Sequence, residues 1–262
     1  MRVIRFQRDG HVGVGVVDEA GVVHDAGDDP LRPSPAGRAL GPVDEVELLA
    51  PVVPGKVVCV GLNYVSHGDE TGLALPDAPL LFAKFPTAVV GPGAAIVVPP
   101  GSTQVDYEAE LGVVIGRRTR GVSPSDALSS VWGYTCVNDV SARDMQFADG
   151  QWVRGKSQDT FCPVGPVVVT ADEIEDPQSL EVSCHVNGEV RQRASTADMI
   201  FGVAELISYI SRGITLEPGD LVATGTPAGV GMSMEPPCYL APGDVVEVGV
   251  SGVGTLRNPV VT

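Results

Sequence analysis

From Pro51 onward the chain is a succession of short apolar, β-branched runs: VVCVGL, LLFAKF, AAIVVP, VVIG, VGPVVVT, LEVSCHV, DLVATG and DVVEVGVSGVG. Gly, Pro, Asn or Asp punctuates nearly all of them. Runs of this length and composition form strands, and this many of them make a mixed α/β but β-rich domain of mixed sheets with few helices. Two helices are expected. Ser123-Pro124-Ser125-Asp126 is a capping box with proline at the first helical position. The segment from Ser195 to Arg212 opens on a similar Ser195…Asp198 pair. It carries Met199, Ile200, Val203, Leu206, Ile207 and Ile210 at helical spacing, a stripe that implies core packing and no function.

Residues 1–50 read as a small N-terminal β domain preceding a larger domain over 51–262. RVIRFQ, VGVGVV and GVVHDA are separated by Asp9-Gly10 and by Glu19-Ala20-Gly21, which implies hairpins. The stretch 28–41 is rich in Pro, Gly and Arg and reads as a connector. GVGVV lacks the third glycine and the following helix of a dinucleotide fingerprint, so it is a hairpin strand.

Charge narrows the partners. The formal net charge is −16, which repels nucleic acid and anionic membrane surfaces but admits a small anion where cations are concentrated locally. The five cysteines show no C-x-x-C spacing, so neither a zinc ribbon nor a thioredoxin-like motif is supported. MRVIRFQRDG lacks the apolar run of a signal peptide, and a cytoplasmic location is the expectation. Only three of the seventeen basic side chains are lysines, Lys56, Lys84 and Lys156. Where arginine has taken most basic positions, each remaining lysine is weighted toward a need for a compact ammonium.

The most informative segment is VDYEAELGVVIG, residues 105–116. On a strand Glu108 and Glu110 point to the same face, with Asp106 in register, and their carboxylates would lie roughly 5–7 Å apart. A solvated strand face is the ordinary meaning of Glu-x-Glu. Here the strand continues as VVIG, apolar on both faces, so both faces are covered. Two adjacent buried carboxylates would repel strongly unless a cation neutralised them, which moves the balance from a solvated face towards a metal. Asp139, where apolar strand character gives way to Asn138-Asp139, is either a third oxygen ligand or a helix N-cap in competition with Ser141. An all-oxygen set favours Mg²⁺ or Mn²⁺, admits Ca²⁺ and disfavours Zn²⁺.

These segments resemble the fumarylacetoacetate hydrolase family. GLNYVSHGDE, LLFAKF, DYEAELGVVIG, GYTCVNDVSARDMQ, RGKSQDTFCPVGP, TGTPAGVG and PGDVVEVGVSGVGTLRNPV match in order from about Pro54 to the C-terminus. The resemblance implies a β-roll of mixed sheets, a homodimer, and one divalent metal on Glu108, Glu110 and Asp139. It implies a water-activating pair at His67 and Glu70, and a substrate and oxyanion site at Arg143, Gln146, Lys156 and Thr226, with Tyr64 beside the substrate.

The chemistry of the residues is consistent with this. A 2-oxo acid chelates a hard cation through its carboxylate and oxo oxygens, and cleavage beyond the next carbon leaves an enolate whose charge develops against that cation. His67 and Glu70, three apart on a helical turn, share a face, so Glu70 can orient the imidazole that takes a proton from water. Their place among Gly68 and Gly72 implies a lid, with residues 72–79 setting substrate choice. TGTPAGVG lacks the Lys-Ser/Thr of a phosphate loop, so its tight turns are expected to bring the Thr226 hydroxyl and backbone amides near a carboxylate. Hydrolysis of the carbon–carbon bond of an acylpyruvate-type 2,4-dioxo acid is the leading expectation. Oxaloacetate decarboxylation and isomerisation of a hydroxymuconate-like diacid are the alternatives. A catalytically silent binding protein would have lost some of these side chains, and none is missing.

Overall fold

The computed structural model describes residues 1–34, 37–72 and 74–262. The expected connector and lid, 28–41 and 72–79, therefore fall partly outside the described residues, at 35–36 and 73. Among the described residues, twelve strands form the main sheet and five a second one. The main path runs from Ala39–Pro42 through Val22–Gly27, His11–Val17, Arg2–Arg8, Cys162–Thr170, Val131–Asn138, Ala109–Ile115, Leu221–Ala223 and Val57–Gly61 to Leu80–Lys84. Most neighbours are antiparallel, whereas Leu221–Ala223 and Val57–Gly61 run parallel, which makes the sheet mixed as expected. No helix among the described residues is long and apolar enough to cross a membrane.

The N-terminal hairpins form where the punctuation placed them. Arg2–Arg8 pairs with His11–Val17 across Asp9 and Gly10, both at positive φ (51° and 78°), the backbone an Asp-Gly turn supplies. This unit is joined to the rest by strand pairing: Arg2 and Val3 pair with Val169 and Val168, so one sheet runs through both.

The core explains why the Glu-x-Glu strand has no solvated face. Leu111 and Val113 point toward the second sheet and join Val182, Cys184, Val246, Val248 and Leu256. Val114 points the other way, into a cluster with Val57, Cys59, Val137, Val164 and Leu221. All seven residues of Ala109–Ile115 are buried.

One helix differs from expectation. Ser195 and Asp198 do form a capping box, but it closes a single 3-10 turn over Thr196–Asp198, and the long helix spans Val203–Gly213. Ser195 is held in a strand by its pairing with Glu181, and Asn63 captures the Phe201 amide through its side chain and the Ile200 amide through its carbonyl. Those bonds keep residues 199–202 extended, so Met199 and Ile200 lie outside the helix. The shorter helix Pro124–Ala127 lacks the side-chain-to-backbone cap, because Ser123 Oγ donates to the Asp126 carboxylate instead.

Candidate active site

Glu108, Glu110 and Asp139 converge. Each offers an oxygen, and these oxygens lie within 4.8 Å of one another with all three residues buried. The strand that carries the two glutamates is not continuous, however. Val105–Asp106 pairs with Ser141–Ala142 and the next strand begins at Ala109, leaving Tyr107 and Glu108 between them. The interruption takes Asp106 out of register, so it is not part of the cluster. Both Asp106 oxygens are occupied: Oδ1 accepts from the amides of Tyr107 (2.9 Å) and Gly231 (2.7 Å), Oδ2 from the Met232 amide (3.0 Å) and Arg143 Nε (2.9 Å). Asp139 is no helix cap. Its amide donates to the Glu108 carbonyl at 2.9 Å, and the next helix starts only at Arg143 without a side-chain cap.

Two lysines and one arginine face these acids. Lys84 Nζ donates to Asp139 Oδ1 (2.5 Å) and to the Val140 carbonyl (3.0 Å). Lys156 Nζ bridges Asp139 Oδ2 (2.8 Å) and Glu108 Oε1 (2.9 Å), and Arg143 Nη1 lies 2.6 Å from the same Glu108 oxygen. Burial alone would push Glu108 up, but Lys156 and Arg143 outweigh it and hold the carboxyl well below its usual range. For Glu110, burial and then the charges of Asp139 and Glu108 push the carboxyl well above the usual range.

This asymmetry tests whether a cation fits. Four buried carboxylates, Asp106, Glu108, Glu110 and Asp139, meet three buried cations, Lys84, Lys156 and Arg143. The shortfall lands on Glu110, whose Oε2 accepts from the Gly225 amide at 2.8 Å while Oε1 is buried with no partner. A buried, unpaired carboxylate oxygen beside two other carboxylates is a donor set that a hard cation would satisfy. The residues fit a divalent metal.

The cluster opens onto a cavity of about 80 Å³ lined by His67, Glu108, Arg143, Gln146, Lys156 and Thr226, with Phe82 and Trp152 on its apolar side. His67 and Glu70 lie on the helix Val65–Thr71, and His67 Nδ1 is 3.2 Å from Glu70 Oε2. Glu70 Oε1 accepts from the Gly229 amide at 2.8 Å, which fixes the carboxylate and leaves His67 Nε2 as the free ring nitrogen. Gln146 and Lys156 come from two short helices, Arg143–Ala148 and Val153–Lys156. Gly155 permits their approach, since a Cβ there would stand 2.6 Å from the Gln146 amide nitrogen.

Of two expected substrate contacts, Thr226 lines the cavity and Tyr64 does not. The Thr226 hydroxyl donates to the Ala109 carbonyl (3.0 Å) and accepts from Gln192 Nε2 (2.8 Å), so its proton is already spent inside the protein. The turns of TGTPAGVG do aim amides at carboxylates, but at the protein's own: Gly225 at Glu110, Gly229 at Glu70 and Gly231 at Asp106. Tyr64 is fully buried, does not line the cavity, and its hydroxyl has no partner. Lys84 was not singled out as a site residue. Its signal was present, as one of three lysines set in the apolar run LLFAKF. Phe82 and Trp152, which stack edge to face at 5.3 Å, carried no such signal.

A family model described as "Fumarylacetoacetate (FAA) hydrolase C-terminal" matches residues 56–261, and one described as "Rv2993c-like, N-terminal" matches residues 1–51. The chain is 42% identical over 287 residues to the mitochondrial oxaloacetate tautomerase Fahd2a of Rattus norvegicus, covering 100% of this chain and 92% of that protein. It is 48% identical over 223 residues to the mitochondrial oxaloacetate tautomerase FAHD2A of Bos taurus, covering 84% and 71% respectively. Among solved structures, a fumarylacetoacetate hydrolase from psychrophilic Exiguobacterium antarcticum superposes with a TM-score of 0.91 at 43% identity, covering 100% of this chain and 99% of that one. The 2-hydroxyhepta-2,4-diene-1,7-dioate isomerase of Mycobacterium marinum does so with a TM-score of 0.87 at 42% identity, covering 100% and 98%.

Proposed function

The chain belongs to the fumarylacetoacetate hydrolase family, and from that premise we propose that it is a divalent-metal-dependent enzyme moving a proton between carbon and oxygen in a small 2-oxo diacid. The reaction class is keto–enol tautomerisation of an oxaloacetate-like acid, or the related double-bond isomerisation of a hydroxymuconate-like diacid. The observation that carries the reading is the buried cluster of Glu108, Glu110 and Asp139 with Glu110 Oε1 left without a partner, set beside an arginine nitrogen, Arg143 Nη2, that is also buried and unpartnered.

Glu108, Glu110 and Asp139 would hold the ion, and the all-oxygen set favours Mg²⁺ or Mn²⁺. When bound, such an ion supplies Lewis-acid stabilisation of negative charge developing on the oxo oxygen. Arg143 Nη2 offers a charged donor to a substrate carboxylate, because Nε and Nη1 are already engaged. Lys156 keeps a positive charge at the cavity floor and Gln146 adds an amide there. His67, with Nδ1 toward Glu70, presents Nε2 to take a proton from the carbon beside the oxo group and to return it. The electron pair of the broken C–H bond becomes the carbon–carbon double bond, and the oxo oxygen takes up a proton as the enol forms.

Hydrolysis of an acylpyruvate, the leading expectation from the sequence, needs a water directed at an acyl carbon in addition to these groups. The names of the relatives include tautomerases and an isomerase, which supports proton transfer over hydrolysis. Stopped-flow ultraviolet spectroscopy on enol-oxaloacetate separates the two, run beside assays of pyruvate from acylpyruvates, CO₂ from oxaloacetate and spectral change with an enol diacid. Accelerated loss of the enol band without pyruvate release is the expected outcome. Pyruvate release from acylpyruvates with no effect on the enol band overturns the proposal. His67→Ala should slow the preferred reaction by roughly 10²–10⁴-fold with Mn²⁺ affinity unchanged; equal turnover would remove His67 from the mechanism.

A further inference from the structure

We propose that Asp106 is a positioning residue that keeps Arg143 Nη2 free for an anionic ligand and ties that arginine to the segment supporting the His67–Glu70 pair. The inference rests on the proposed function only in taking the cavity to bind a small dianion.

Arg143 has two carboxylates to choose from. Nε lies 2.9 Å from Asp106 Oδ2 and Nη1 lies 2.6 Å from Glu108 Oε1, while Nη1 also donates to Gln146 Oε1 at 3.0 Å. Held at two corners by different acids, the planar guanidinium presents its remaining corner, Nη2, with no protein partner. Without Asp106, Arg143 could form a two-toothed pair with Glu108, the geometry guanidinium prefers with one carboxylate. That pairing would consume Nη2 and alter a carboxylate of the metal cluster.

The same carboxylate holds a distant segment. Its bonds from the Gly231 and Met232 amides pin the turn that follows TGTPA, and Met232 lines the cavity. Two residues earlier the Gly229 amide supports Glu70, and Tyr107, the residue after Asp106 in sequence, donates its hydroxyl to the Gly229 carbonyl at 3.1 Å. Gly231 allows the approach, since a Cβ there would lie 2.7 Å from Asp106 Oδ1 and 2.2 Å from the Cys238 carbonyl oxygen. One buried carboxylate thus sets the aim of the anion-binding arginine and the seat of the proton-moving pair.

The test is a double-mutant cycle on the Mn²⁺-loaded protein, read by calorimetric binding of oxalate, a small dianion that needs no turnover. Asp106→Asn should weaken oxalate binding by about 10–100-fold, the cost typical of removing a partner that orients a ligand-binding group. In an Arg143→Gln background the same substitution should change oxalate affinity less than about 2-fold, because the group it acts through is gone. Mn²⁺ affinity should fall less than in Glu110→Gln, since Asp106→Asn changes how Arg143 meets Glu108 and removes no oxygen of the three-acid cluster. Unchanged oxalate binding in Asp106→Asn, or an equal loss in both backgrounds, overturns the proposal. A loss of Mn²⁺ affinity matching that of Glu110→Gln overturns it too, since Asp106 would then be acting as a ligand. Should Asp106→Asn not fold, selective ¹⁵N labelling of arginine in the unmodified protein decides: an Arg143 Nε–H protected from exchange upholds the pairing, and rapid exchange refutes it. If oxalate fails to bind the unmodified Mn²⁺-loaded protein, the proposed function has failed instead, and the Nε–H measurement still reports on Asp106.

Discussion

Lys156→Met should lower turnover by about 10²–10³-fold, the loss that follows removal of one preorganised donor from developing negative charge. It should also destabilise the metal-free protein by about 3–5 kcal/mol, the cost of removing one cation from a buried charge cluster, although Lys84 still meets Asp139 and Arg143 still meets Glu108. The side chain is buried, its ammonium bridges Glu108 and Asp139, and it lies 5.1 Å over the Phe82 ring. Methionine keeps most of the volume, so little cavity forms and the effect is electrostatic. Burial pulls the Lys156 pKa down, but Asp139 and then Glu108 more than compensate and raise it, so the ammonium is charged throughout the neutral range. A divalent cation held by Glu108, Glu110 and Asp139 would be drawn to the same two carboxylates. Metal affinity should therefore rise in the variant, and the stability deficit should shrink when Mg²⁺ or Mn²⁺ is present. Chemical denaturation with and without metal reads both effects. Equal deficits in the two conditions would mean that Lys156 and the cation do not share ligands.

Metal itself carries the second large effect. Free Mg²⁺ or Mn²⁺ at 100–1,000 times its dissociation constant should stabilise the protein by about 2–4 kcal/mol, and chelation should reverse this and abolish turnover. Glu110→Gln should act in opposite directions on the two forms. In the metal-free protein it removes the carboxylate that stands unpaired beside Asp139 and Glu108, and its new NH₂ can donate to them, so stability should hold or increase. With metal present, the thermal shift should vanish because one anionic ligand is gone. Thermal unfolding titrated with Mn²⁺, with calorimetry for affinity, checks this. A full metal-induced shift in Glu110→Gln would exclude Glu110 as a ligand and leave the cluster without a reason for its buried charge.

Much of the site was legible because its signals are local. Glu108 and Glu110 stand out as charges in a segment otherwise apolar on both faces, and His67 and Glu70 fall one helical turn apart. The misreadings have a common origin in hydrogen bonds made over long sequence separations. Asp106 looks equivalent to the two glutamates until Gly231 and Met232, 125 and 126 positions away, fill its oxygens. Thr226 lines the cavity as expected, but that its proton goes to Ala109, 117 positions away, could not be read locally. The expected helix start at Ser195 failed similarly, because Asn63, 138 positions from Phe201, holds that segment extended.

Residue type and periodicity by themselves determined that this chain forms mixed sheets with covered faces, and that acids inside them must be neutralised. They could do so because burial of apolar runs and repulsion between neighbouring carboxylates depend on adjacent residues. Only the tertiary structure decided which third acid joins Glu108 and Glu110, that Lys84 and Lys156 share Asp139, and which donors remain unspent. A carboxylate has a limited number of acceptor positions and a hydroxyl a single proton, and the groups that claim them are brought close only when distant strands and turns pack together.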